Sequence, residues 1–302
     1  MHVHQDHHHE HHQDRSSKNR RRLAIALLLA AVYMLAEIIG GIWTNSLALL
    51  ADAGHMFSDV AALSLSFFAI WFAGRKAPPH HTYGYHRIEI LAAVVNGAML
   101  VAISILIFLE AFKRFSHPEE VQGPWMMAIA AGGLLVNLVS LWILQSGRHD
   151  NLNLRGAWLH VLMDAVGSVG AIVAGLLISL FGWYLADPIV SMLIGSLVIY
   201  SAWHLLSEAV SVLMESAPRG IDVDAVREAI LDVPQVTSVH DLHIWTITSG
   251  FDSLSAHVVI EDGAKHQDAL AALRDRLHQQ FGIDHITIQL EPSDFVERSR
   301  CS

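Results

Sequence analysis

Cysteine is nearly missing from this 302-residue chain: the single one, Cys301, stands beside the C-terminus. No disulfide framework and no thiolate metal site can be built from it. Charge is scarce as well, at 16% of residues against 53% hydrophobic, where an average soluble domain carries about 25% charged residues. Mean hydropathy is +0.39. The shortfall is concentrated in residues 23–213, whereas 1–22 and 214–302 hold most of the formal charges. A soluble globular enzyme is thereby excluded, and a membrane domain with a water-facing segment at each end is implied. The net charge of −10 is spread along the chain with no basic face, which excludes a nucleic-acid partner. A glycine loop followed by Lys-Ser/Thr is also missing, so no nucleotide drives the protein directly. Histidine, in contrast, is abundant: 21 residues, more than the 19 lysines and arginines together.

A spanning helix needs about 20 mostly apolar residues. Six blocks qualify, at 23–43, 46–72, 88–112, 124–145, 157–182 and 188–213. The first follows a polar, charged stretch and lacks a small-residue cleavage site, so it reads as an anchor. Orientation follows from the basic residues near the membrane. Arg15, Lys18, Arg20, Arg21 and Arg22 precede the first span; Arg75, Lys76 and Arg87 lie between the second and third, and Arg148 and Arg155 between the fourth and fifth. The other side has only Lys113 and Arg114, which can snorkel to the interface. Both termini are therefore expected to face the cytoplasm, with the chain in the cytoplasmic membrane. Residues 214–292 read as helix, two strands around Ser249-Gly250, helix and strand. That order fits a small α+β domain, ferredoxin-like in outline, with 293–302 as a tail. The fold class is thus an α-helical membrane protein of six spans carrying a C-terminal α+β ferredoxin-like cytoplasmic domain.

Ionisable groups inside a span cost roughly 2.5–3.5 kcal/mol each on the insertion scale, so they need partners and a purpose. His55 and Asp59 in the second span, and His160 and Asp164 in the fifth, repeat one pattern, His-x-x-x-Asp. Four positions advance a helix by about 400°, which stacks each His and its Asp on one face. Two such faces meeting would present two imidazoles and two carboxylates, a normal tetrahedral set for zinc. A single intramembrane His or Asp is as readily an interhelical hydrogen bond; two copies of the same spaced pair point to metal. A haem would not require an Asp one turn after each His. Two carboxylates balance one divalent ion, and they equally balance two protonated histidines. Exchanging the metal for two protons keeps a buried site neutral. A site with this property that opens alternately to each side would be a metal/proton antiporter.

The paired motifs, the Ser46-Leu47-Ala48-Leu49-Leu50-Ala51-Asp52 approach, the His81-Thr82-Tyr83-Gly84-Tyr85-His86-Arg87-Ile88-Glu89 loop and the His240-Asp241-Leu242-His243-Ile244-Trp245 strand resemble the cation diffusion facilitator family. The similarity runs over nearly all of residues 20–292 and is strongest to its bacterial zinc/cobalt/cadmium efflux branch. It implies a homodimer in the lipid bilayer and proton-driven export of Zn2+, with His55, Asp59, His160 and Asp164 at the family's transport site. Cobalt or cadmium as the main ion is the rival within transport; N and O ligands allow cobalt, and the spans hold no cysteine. A membrane metal sensor that binds zinc and moves none is the rival from another class.

The resemblance also implies lesser sites. His81 falls at a family position for a regulatory metal in the loop, with Tyr85 at the companion position and His86 alongside. His240, His257 and Glu291 fall at or near positions for a cytoplasmic metal cluster, with His266 as a further candidate; Gln289 stands where some relatives place a histidine. Residues 1–22, with seven histidines and two acids in the first twelve, are expected to be disordered and to collect zinc. Asp52, one turn before His55, reads equally as helix-packing polarity and as a group that receives protons or releases metal outward. Glu37, Asn96, Asn137, Asp187, His204 and Glu208 read as interhelical polar contacts.

Overall fold

The computed structural model describes residues 7–73, 79, 81–145 and 152–294, with side chains at these positions except 7–23, 59, 62, 63, 65–73, 152–154 and 156. The side chains of the N-terminal histidines and of Asp59, and residues 295–302, therefore lie outside the described residues. The chain forms two compact units, residues 1–64 with 95–204, and 65–94 with 205–302.

Six long helices make up the apolar blocks: α1 (His7–Thr44), α2 (Leu47–Ala73), α3 (Ile88–Ser116), α4 (Gly123–Gln145), α5 (Leu152–Phe181) and α6 (Ala186–Leu213). Among the described residues, α1, α3, α4, α5 and α6 contain windows long and apolar enough to cross a membrane. The 27-residue α2 supplies the sixth span by its sequence. The helical backbone of α1 begins at His7, well ahead of its apolar part from Ala24, in a stretch that composition alone reads as disordered.

The first unit is apolar on the outside. Leu28, Val32, Leu35, Ile39 and Ile42 recur every three or four residues along α1 and are all exposed, while Glu37 on the opposite face is buried. That inversion suits a helix facing lipid, where every other polar group must find protein. Association then depends on close approach of small residues. Ala48 and Leu49 of α2 pack with Met126 and Ala130 of α4 and with Ala171 and Ala174 of α5. At Gly123 of α4 a Cβ would stand 2.9 Å from the Gly175 carbonyl oxygen of α5, so only glycine admits this crossing. On the other side of α2, Ala51 joins Leu100 of α3 and Ile194 and Val198 of α6.

The second unit holds the C-terminal domain: α7 (Val223–Leu231), β1 (Val236–Thr248), β2 (Phe251–Ile260), α8 (His266–Phe281) and β3 (His285–Pro292). The Asp222 side chain accepts from the Asp224 N–H at 3.0 Å and caps α7. Gly282, at φ 67°, ends α8 in a left-handed cap. The sheet runs in the order β1-β2-β3, antiparallel between the first two and parallel between the last two. Val226 and Ile230 of α7, Leu254 and Val258 of β2, and Leu273 and Leu277 of α8 form its core. This is the α-β-β-α-β arrangement expected from the sequence, with helices and strands ending within a few residues of the expected places.

Candidate metal centres

On α5, His160 and Asp164 are one turn apart, and the helix stacks them. His160 Nε2 lies 3.7 Å from Asp164 Oδ2. From α2, His55 Nε2 lies 3.5 Å from the other oxygen, Oδ1, and the two imidazole centroids are 5.3 Å apart. One ligand atom from each of His55, His160 and Asp164 lies within 4.8 Å of the others. Tetrahedral ligands at about 2.0 Å from a zinc ion stand roughly 3.3 Å from one another, so the two imidazoles stand from Asp164 at a spacing that suits a shared ion. Asp164 is buried, and His55 and His160 are partly exposed. Asn137 Nδ2 of α4 donates to Ser168 Oγ at 3.4 Å, which donates to the Asp164 carbonyl at 3.2 Å. This chain braces α5 beside the carboxylate. Asp59 follows His55 by one turn of α2, and its side chain is outside the described residues.

The start of α2 is fixed by a residue far away in sequence. Asp187, fully buried at the head of α6, accepts from Ser46 Oγ at 2.6 Å, the Leu47 N–H at 2.8 Å and the Ala48 N–H at 3.1 Å. A carboxylate at a helix N-terminus is favourable for both hydrogen bonding and the helix dipole. Arg114 Nη1 stands 3.5 Å from the same carboxylate and donates to the Asn45 carbonyl at 2.7 Å. By sequence Asp187 reads as one of several interhelical polar contacts, because no local spacing links it to α2.

A second group of the same composition lies in the C-terminal domain. His240 and His257 are cross-strand partners on β1 and β2, with ring centroids 5.2 Å apart. Glu291 on β3, pairing two residues along β2 at Val259, is 3% exposed. Its oxygens lie 3.0 Å from His240 Nε2 and 2.9 Å from His257 Nδ1. Gln289 Nε2 donates to Glu291 Oε1 at 2.9 Å, so the glutamine found at this position orients the acid. The register shifts between His240 and His243, where Asp241 adopts φ 51°. This bulge brings Asp241 to 3.9 Å from His257 Nε2, a fourth group that strand alternation alone does not reveal.

The remaining candidates are not brought into either cluster. His266 opens α8 and is exposed. His81 packs against Tyr85, with centroids 5.0 Å apart, and His86 against Phe251 at 5.7 Å. Both loop histidines thus have aromatic neighbours, and His81 lines a cleft of about 660 Å3 with Tyr83, Arg87, Glu215, His243 and Trp245. Arg87 and Glu215 pair at 2.7 Å there. Glu89, at the head of α3, accepts from the Thr248 hydroxyl and from Ser249 Oγ at 3.0 Å at the β1–β2 turn.

Comparison with known proteins adds to this geometry. Residues 23–214 match the family described as the cation efflux transmembrane domain, and 218–293 match the cation efflux protein cytoplasmic domain. A relative named cadmium, cobalt and zinc/H(+)-K(+) antiporter, from Bacillus velezensis, is 46% identical over 271 residues, covering 88% of this chain and 87% of the relative. The zinc transporter ZitB of Escherichia coli is 44% identical over 263 residues, covering 86% of this chain and 84% of its own. Among solved structures, the metal-bound C-terminal domain of the CzcD transporter from Cupriavidus metallidurans is 43% identical with a TM-score of 0.23, covering 24% of this chain and 99% of that one.

Proposed function

Because this chain belongs to the cation efflux family, the cation diffusion facilitators, we propose that it exports Zn2+ from the cytoplasm in exchange for H+, using His55, Asp59, His160 and Asp164 as its transport site. It is a multi-pass membrane transporter of divalent metal cations and not an enzyme. The observation that carries the site is the convergence of His55 Nε2 and His160 Nε2 on the two oxygens of Asp164, at 3.5 and 3.7 Å. With Asp59 as fourth ligand, two carboxylates neutralise the ion. Binding requires ionised carboxylate and neutral imidazole, so protons leave as metal enters. Their return on the far side restores neutrality and resets the site. A nitrogen and oxygen set favours zinc over the softer cadmium; the cadmium and cobalt in the name of the Bacillus relative make those ions the competitors to test.

The N- and C-terminal segments face the cytoplasm of the inner membrane in this reading, because ten basic residues flank that side of the spans and two the other. A homodimer joined through the C-terminal domains and the membrane helices carries the transport sites. His240, His257 and Glu291 hold a regulatory metal in each subunit. The test is zinc entry into proteoliposomes loaded with a zinc-sensitive dye. An inward-directed proton gradient across inside-out vesicles should slow or reverse accumulation, and an acidified lumen, whose gradient is directed outward, should drive it. Binding without flux would identify a sensor, and flux indifferent to the gradient would remove the exchange.

A further inference from the structure

One turn beyond the transport site, towards the α1–α2 and α5–α6 turns, two more acids are buried that the exchange above does not use. Glu37 of α1 is 1% exposed and Asp52 of α2 is 4% exposed. Asp52 lies against α5 one turn after Asp164, and Glu37 lies against α4 at Gly133, beside Ser168 of α5. A Cβ at Gly167 would stand 3.4 Å from Asp52 Oδ1; a Cβ at Gly133 of α4 would stand 3.0 Å from Glu37 Oε1 and 3.3 Å from Ser168 Oγ. Gly133 of α4 thus leaves space that the Glu37 carboxylate occupies, and Gly167 of α5 lies at ordinary contact distance from Asp52. Glu37 Oε2 is buried with no hydrogen-bond partner among the described residues. Tyr33, one turn before it, gives its hydroxyl to the Ile129 carbonyl instead. Nor does the buried Arg114 serve Glu37, being engaged by Asn45, Glu119 and Asp187.

Two buried acids lying against α4 and α5, one with an oxygen lacking any donor among the described residues, are a poor packing contact, because an unsatisfied carboxylate in such surroundings is costly. They are a good place for a divalent cation, which would bring the opposite charge and fill the open oxygen. We propose that Glu37 and Asp52 form a second, outward station for the transported cation, through which the ion leaves the His55–His160–Asp164 set. Asp52 shares the α2 face with His55, one turn away, so the ion passes along that face. Two hard oxygen donors with water hold zinc more weakly than a set containing two imidazoles. The path therefore descends in affinity outward, and this favours release.

The inference rests on the transport reading above, and the variants separate the two. Full-length protein is assayed for equilibrium Zn2+ binding in detergent and for Zn2+ flux in proteoliposomes. Glu37→Gln and Asp52→Asn are expected to keep the KM and the affinity of the transport site within about threefold and to lower kcat at least about tenfold. The double variant should be no slower than the slower single variant, since both act on one station. Glu37→Asp, which keeps the charge, should recover most of the flux. Parental flux in Glu37→Gln and Asp52→Asn overturns the station, as does a parallel fall of binding and flux unrelieved by Glu37→Asp, the signature of packing alone. Should Glu37→Gln fail to fold, Asp52→Asn carries the same comparison. Asp164→Asn is the control for the underlying site: if it leaves transport-site binding intact, the transport reading fails, whatever Glu37 does.

Discussion

The helical unit exposes Leu28, Val32, Leu35, Ile39 and Ile42 on α1 and buries Glu37, Asp52, Asn137, Asp164 and Asp187; the C-terminal domain buries Leu254, Leu273 and Leu277 and exposes Glu261, Asp262 and Lys265. One chain obeys opposite rules because its two solvents differ: water rewards burial of apolar surface, whereas lipid rewards burial of whatever is polar. Each unit nonetheless assembles two histidines around one buried acid. In the C-terminal domain the imidazoles sit at 3.0 and 2.9 Å from Glu291, the first of them hydrogen-bonded, on strands locked by a backbone ladder. In the helical unit they sit at 3.5 and 3.7 Å from Asp164, on separate helices joined by side chains alone. A closed cluster on a rigid sheet suits a resident ion that reports on concentration. An open one between helices suits an ion that must arrive and leave.

That contrast is broken most severely at the membrane acid. Asp164→Ala and Asp59→Ala should each lower zinc flux at least about 100-fold, because removing one carboxylate destroys the ligand set and its charge balance together; zinc uptake into inside-out vesicles measures it, and retention of more than a tenth of the parental rate would contradict it. Next is a test of the two solvents. Leu273→Ala, in the water-soluble core at 0% exposure, should cost about 2–5 kcal/mol of domain stability, read as a lowered denaturation midpoint. Glu291→Ala should abolish most of the zinc-induced rise in melting temperature while changing maximal flux by less than about threefold, below the usual size of an allosteric coupling. Smallest of all, Ile39→Ala on the lipid-facing stripe should alter stability by no more than about 0.5 kcal/mol, although the side chain it removes is as large as that of Leu273.

The sequence was most informative where chemistry and helical period coincide. His55/Asp59 and His160/Asp164 stand out because four residues make one turn and because charged groups have no routine place in a span. His240 and His257 were identified by resemblance, and the register then makes them direct cross-strand neighbours. Other features depend on tertiary packing and leave no local trace. The cap that Asp187 places on α2 bridges about 140 positions. The left-handed Asp241 comes from a bulge, and no spacing rule in β1 announces it. Glu37 is legible as a polar residue in a span, while its oxygen without a partner among the described residues depends on how α4 and α5 pack around it. His266, a further candidate beside the positions given by resemblance, lies at an exposed helix start.

Anomalous diffraction at the zinc edge from crystals of the zinc-loaded, full-length protein addresses the transport site most directly. The account predicts a peak between α2 and α5 at about 2.0–2.2 Å from His55, Asp59, His160 and Asp164. Zinc at the His240–His257–Glu291 cluster with no density between α2 and α5 would contradict it.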